Sequence, residues 1–231
     1  MTIKAVIFDL DGTLAYFNID YMAARAEIIS LLTKQGLPRP LLSLKKGVFD
    51  MLKKAKQHME NSGKEEKEFL ELKKKVISIV EHYESEAARK TSLLPNVLKT
   101  LKTLREMKLK MAICTTNGEK STSHILKRFR IRHFFGAVIT RESVSAVKPD
   151  PVHLEAALKA LNVRPEEAIV VGDSIRDMKC ARKLNVLAVG VTTGISSPEA
   201  LTSAGANYLA SSSADIPTLV EQLDRQLRLD R

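Results

Sequence analysis

Residues Val6 to Phe17 read VIFDLDGTLAYF. The run is apolar without the alternation of a half-buried strand, so it reads as a strand covered on both faces. It nevertheless ends on two carboxylates, Asp9 and Asp11. Side chains two residues apart along an extended chain project to the same side, so one site can use both. Short apolar runs ending in small or polar residues recur at 4–12 (KAVIFDLDG), 110–118 (KMAICTTNG), 136–140 (GAVIT), 168–174 (AIVVGDS) and 186–191 (VLAVGV), with a shorter candidate at 207–211 (NYLAS). Segments of helical period separate them, which predicts an α/β fold: a doubly wound, Rossmann-like parallel sheet with helices on both faces.

The helical segments are expected from Pro95 (Val97, Leu98, Leu101, Leu104), over 121–129, 151–161 and 175–184, and from about Asp215. Nearly a hundred residues separate the first two strands, too many for one crossover. From Asp20 to Arg89 the apolar spacing is helical throughout, with breaks at GLPRP (36–40) and NSG (61–63). The expected organisation is a core of residues 1–17 and 92–231 interrupted by a helical insertion, 18–91.

The chain has 231 residues, 44% hydrophobic and 28% charged, and no apolar run approaches the roughly eighteen residues of a membrane span. The opening MTIKAVIFDL passes from one lysine directly into a strand, without the apolar core of a secretory signal, so a cytoplasmic protein is expected. Cys114 and Cys180 lack metal or redox spacing and read as buried thiols. The net charge of +10 is spread along the chain. With 5% aromatic residues and no nucleic-acid motif, a specific nucleic-acid partner is not expected. The charge itself allows attraction to nucleic acid, an acidic membrane surface or phosphorylated metabolites, and does not choose among them.

In a doubly wound sheet, ligands bind beyond the carboxyl ends of the strands. Four polar groups stand at such ends: Asp9 with Asp11, Thr116 with Asn117, Lys148 in the loop after GAVIT, and Asp173 with Asp177. Crowded aspartates repel unless a cation holds them, and oxygen ligands suit Mg2+, which usually shares its shell with a substrate phosphate. A threonine hydroxyl can bond a phosphoryl oxygen, and a lysine can neutralise it. Gly12 is expected to allow close approach, with its N–H free to meet an anion. The five histidines, 58, 82, 124, 133 and 153, form no ligand spacing and read as structural or surface residues.

DLDGT (9–13), ICTTN (113–117), VKPDP (147–151) and VVGDSIRDM (170–178) resemble, in order and spacing, the four motifs of the haloacid dehalogenase-like hydrolase superfamily. The nearest resemblance is to its phosphoglycolate phosphatase and β-phosphoglucomutase branch, which carries a helical cap like the insertion here. The resemblance implies that Asp9 is a nucleophile forming an aspartyl-phosphate, and that Asp11 is the general acid and base, its carbonyl also reaching Mg2+. It further implies phosphate binding by Gly12, Thr116, Asn117 and Lys148, with Asp173 and Asp177 completing the Mg2+ shell, Asp177 directly or through water. Relatives that attack carbon lack the second aspartate, because a halide needs no proton; Asp11 therefore points to phosphoryl transfer. In the cap, Lys45 and Lys46 of LSLKKGVFD (42–50), together with Tyr16 after the first motif, are the candidate substrate contacts.

The resulting expectation is a Mg2+-dependent phosphatase of small phosphomonoesters, monomeric or homodimeric. A β-phosphoglucomutase-like phosphosugar mutase shares every motif. A non-catalytic phospho-acceptor regulator also combines a doubly wound sheet with an acidic pocket, a threonine and a lysine.

Overall fold

The computed structural model describes residues 2–229. The chain divides into two compact units, one of residues 1–18 and 90–231 and one of residues 19–89.

The larger unit is built on six parallel strands: β1 (Ala5–Phe8), β2 (Lys110–Cys114), β3 (Ala137–Ile139), β4 (Ala168–Gly172), β5 (Leu187–Val191) and β6 (Tyr208–Ala210). Their order across the sheet is β3-β2-β1-β4-β5-β6, so the chain reverses direction of travel at β1. Phe8 pairs with Ile113 on one side and Val171 on the other. The residues that follow those three therefore leave the sheet side by side. β1, β2 and β4 carry apolar side chains on both faces, as a sheet covered on both sides requires. On one face, Ala5, Ile7, Ala112 and Val170 form a continuous buried cluster with Leu154, Ala157, Leu158, Leu161, Met178, Ala181 and Leu201.

The helices of this unit numbered in the full chain are α4 (Val97–Glu106), α5 (Glu119–Arg128), α6 (Pro151–Leu161), α7 (Ile175–Lys183), α8 (Pro198–Ala204) and α9 (Ile216–Leu229). Pro95 stands outside α4, which starts later than proline placement predicts because Asn96 takes a left-handed φ of 63° ahead of it. Asp150 begins α6, its carboxylate accepting the Val152 N–H, with Pro151 in the first turn. Two segments near the insertion are stitched together inside this unit. Leu94 N–H donates to the Leu14 carbonyl at 3.0 Å, Tyr16 N–H to Ser92 at 3.0 Å, and Thr91 Oγ1 to the Tyr16 carbonyl at 2.9 Å.

The smaller unit contains α1 (Tyr21–Lys34), α2 (Val48–Asn61) and most of α3 (Glu66–Lys90). Ile28, Ile29 and Leu32 of α1, Met51, Leu52 and Ala55 of α2, and Leu72 and Val76 of α3 share its core with Leu37 and Leu42. Asp20 caps α1 by accepting the Ala23 N–H at 2.9 Å. No helix among the described residues is long and apolar enough to cross a membrane.

Candidate active site

The register of β1, β2 and β4 sets the site. Asp9 N–H continues the ladder onto the Val171 carbonyl at 2.9 Å, which fixes its backbone at the sheet's edge. Lys148 arrives in the loop between β3 and α6 and is buried. Its ammonium donates to Asp9 Oδ1 at 2.8 Å, to Asp177 Oδ1 at 2.5 Å and to the Cys114 carbonyl at 2.7 Å. Three acceptors match its three protons, and the two carboxylates hold it charged, well above the usual lysine range despite burial. Asp9 is raised above the ordinary carboxylate range, first by burial; Lys148 opposes this and Asp177 adds to it.

Asp11 is buried, and its Oδ2 accepts from Asn117 Nδ2 at 2.5 Å. Asn117 is thus an orienting partner of Asp11. Its own N–H donates to Thr115 Oγ1 at 3.2 Å, which tightens the turn after β2. Thr116 is half-buried between them, and its carbonyl accepts from Arg141 Nη1 at 3.3 Å.

Asp173 follows β4. Burial, then the charges of Asp9 and Asp177, push its carboxyl up to about 8. Its Oδ2 accepts the Ile195 N–H at 2.8 Å from the loop after β5. A side chain at Gly194 in that loop would enter the space of the Asp173 carboxylate. Thr193 Oγ1 donates to the Gly12 carbonyl at 2.5 Å, tying the same loop to the first motif. These three residues carry no acid, base or metal-ligand signature, so sequence reasoning passed over them.

One expectation is corrected. The Gly12 N–H is not free for an anion, because it donates to the Ala15 carbonyl at 2.7 Å as the chain turns back on itself. The freedom of this glycine serves a different end. Its φ is 76°, and a Cβ there would stand 2.6 Å from Asp173 Oδ2.

One oxygen from each of Asp9, Asp173 and Asp177 lies within 4.8 Å of the other two. Three hard oxygen donors around one point, one of them raised to about 8, suit a divalent cation such as Mg2+. Both oxygens of Asp177 already accept hydrogen bonds, Oδ1 from Lys148 and Oδ2 from Ser174 Oγ at 2.5 Å and Ser174 N–H at 3.2 Å.

Tyr16 is 44% exposed and lies in the larger unit. Lys45 is exposed and Lys46 half-buried, both in the helical unit. Lys54, by hydrogen bonding and by like charge, holds the Lys46 ammonium below its usual pKa. Cys114 and Cys180 are free, buried thiols, and burial pushes Cys180 up to about 11. His153, assigned to the structural group with the other histidines, is fully buried against the Lys148 main chain.

A family model described as haloacid dehalogenase-like hydrolase matches residues 6–191. A protein from Psychrobacter arcticus described as phosphoglycolate phosphatase is 30% identical over 200 residues, 83% of this chain and 84% of that one. Another of that description, from Pseudomonas savastanoi pv. phaseolicola, is 29% identical over 199 residues, 83% of this chain and 70% of its own length. Among solved structures, a hydrolase from Pseudomonas syringae superimposes with a TM-score of 0.71 at 27% identity, covering 95% of this chain and 99% of that one. Taken with the four strand-end motifs, the matched span assigns this chain to the haloacid dehalogenase-like hydrolases.

Proposed function

We propose that this enzyme is a Mg2+-dependent phosphatase of small phosphomonoesters, working through an aspartyl-phosphate on Asp9. The observation that carries the reading is the Lys148 clamp. A buried ammonium bonded to both Asp9 and Asp177 favours the ionised form of Asp9 against burial and orients it, as a carboxylate nucleophile requires.

Asp9 attacks the phosphorus atom, and the substrate's alkoxide leaves. Asp11, oriented by the Asn117 amide, delivers a proton to that alkoxide. The same carboxylate then takes a proton from water as it attacks the phosphorus of the acyl phosphate, restoring Asp9 and releasing inorganic phosphate. Thr116 is the proposed phosphoryl contact, with the Asn117 amide serving Asp11; Lys148, whose three protons already meet Asp9, Asp177 and the Cys114 carbonyl, acts on the phosphoryl group through its charge. Asp9, Asp173 and the Asp11 carbonyl would hold Mg2+, with Asp177 acting through water because its oxygens are already engaged. When bound, the ion neutralises charge on the transferring phosphoryl group.

The relatives described as phosphoglycolate phosphatases favour a small acidic phosphomonoester as substrate. Lys45, Lys46 and Tyr16 are the proposed residues of substrate choice, and reversing the charge of both lysines should raise KM more than it lowers kcat. The testing experiment is phosphate release from a metabolite panel, with and without Mg2+, by wild type and Asp9→Asn. Mg2+-dependent release abolished in Asp9→Asn supports the reading. Isomer instead of phosphate from a hexose 1-phosphate would make the enzyme a mutase. A persistent acyl phosphate without turnover would make it a regulator.

A further inference from the structure

His153 occupies the third position of α6, just past the Asp150 cap, and its side chain is fully buried. Its Nδ1 accepts the main-chain N–H of Lys148 at 3.2 Å. An accepting Nδ1 carries no proton, so the neutral ring holds its proton on Nε2. Nε2 is buried without a well-formed hydrogen bond, although the carbonyls of Ile139 and Thr140 favour a proton on the ring. Burial, and then the Lys148 charge, depress the imidazole to about 4, so it is neutral across the working pH range.

The main chain of the same residue closes a circuit. Lys148 Nζ donates to the Cys114 carbonyl, Cys114 Sγ donates to the His153 carbonyl at 3.6 Å, and the His153 ring accepts from Lys148. β2, α6 and the Lys148 loop are thereby fixed to one another at the base of the site. Leaving a buried N–H unpaired costs more than the bond itself contributes, so the acceptor matters more than the ring's bulk.

We propose that His153 is a positioning residue for Lys148, its Nδ1 acting as the acceptor that sets where the ammonium stands between Asp9 and Asp177. The inference rests on the phosphatase reading for its effect on turnover, but its geometry can be read independently.

The test compares His153→Asn, which keeps an acceptor near the Nδ1 position, with His153→Leu, which keeps apolar bulk and has none. With p-nitrophenyl phosphate and saturating Mg2+, Leu should lower kcat by about tenfold or more with little change in KM, while Asn stays within about threefold of wild type. A residue that only fills the core predicts the opposite order, Leu tolerated and Asn impaired, and that order overturns the inference. Wild type inactive on every phosphomonoester would sink the phosphatase reading alone. In that case, or if a variant fails to fold, the long-range proton–nitrogen NMR spectrum of the wild-type histidines decides. An Nε2–H tautomer for His153 with unprotonated Nδ1 is expected, and a protonated Nδ1 refutes the role.

Discussion

Replacing Lys148 by methionine keeps the unbranched chain up to the position of the last carbon and removes the ammonium with its charge. The side chain is 5% exposed, and its ammonium bonds two carboxylates and a carbonyl. Removing one partner of a buried ion pair costs about 3–5 kcal/mol, because the other is left charged and unpaired. A domain's total stability is about 5–15 kcal/mol, so the variant should fold but with a large part of its margin gone. The loss should depend on pH, with a definite sign. Lys148 lowers the Asp9 pKa, which burial has already raised, so the variant moves it higher still. A raised native pKa means that the unfolded chain gives up this proton at a lower pH than the native form does, and stability falls as pH rises between the two. Urea unfolding of the metal-free variant, followed by far-UV circular dichroism, should show a larger deficit against wild type at pH 8 than at pH 5.5. Turnover should fall about a hundredfold or more, the scale of losing one preorganised electrostatic contact. Equal deficits at both pH values, or kcat within about threefold of wild type, would refute the role given to the clamp.

Three further outcomes are expected. Gly194→Ala pushes a methyl group into the Asp173 carboxylate, so the Mg2+ concentration for half-maximal activity should rise about tenfold or more in a metal titration. Asp173 sits at about 8 and must lose its proton to bind a cation; Mg2+ affinity should therefore rise with pH up to about 8, and calorimetry in two buffers of different ionisation enthalpy should detect proton release. Asp11→Asn should lower kcat/KM for alkyl phosphates, whose alkoxides need a proton, far more than for p-nitrophenyl phosphate, whose leaving group does not, while kcat falls on both because hydrolysis of the shared acyl phosphate needs the same carboxylate as base; parallel kinetics on the two substrates separate the steps.

The parallel sheet was legible because strands such as Ala168–Gly172 are apolar on both faces and end abruptly in polar residues. The acidic and basic groups were legible for a related reason: Asp9, Lys148 and Asp173 stand where a buried strand or its loop should not spend charge. Helix α8 escaped notice because seven residues, Pro198–Ala204, hold too little period to detect. Thr193, Gly194 and Ile195 act through a hydroxyl on a carbonyl, a missing side chain and a main-chain N–H, none of which a composition pattern encodes. The Gly12 N–H was misjudged because a glycine in a phosphate motif suggests an open donor, whereas the tight turn to Ala15 satisfies it locally. His153 looked structural because its partner is a backbone group five residues away rather than another ligand.

The role of Asp9 as nucleophile is tested by trapping the acyl phosphate. Wild-type enzyme is mixed with a turned-over phosphomonoester and Mg2+, quenched in acid, reduced with borohydride and digested for mass spectrometry. Homoserine is expected in place of aspartate at position 9, dependent on substrate and absent at positions 11 and 173. Turnover under the same conditions with position 9 unmodified, or with the label on another carboxylate, would contradict it.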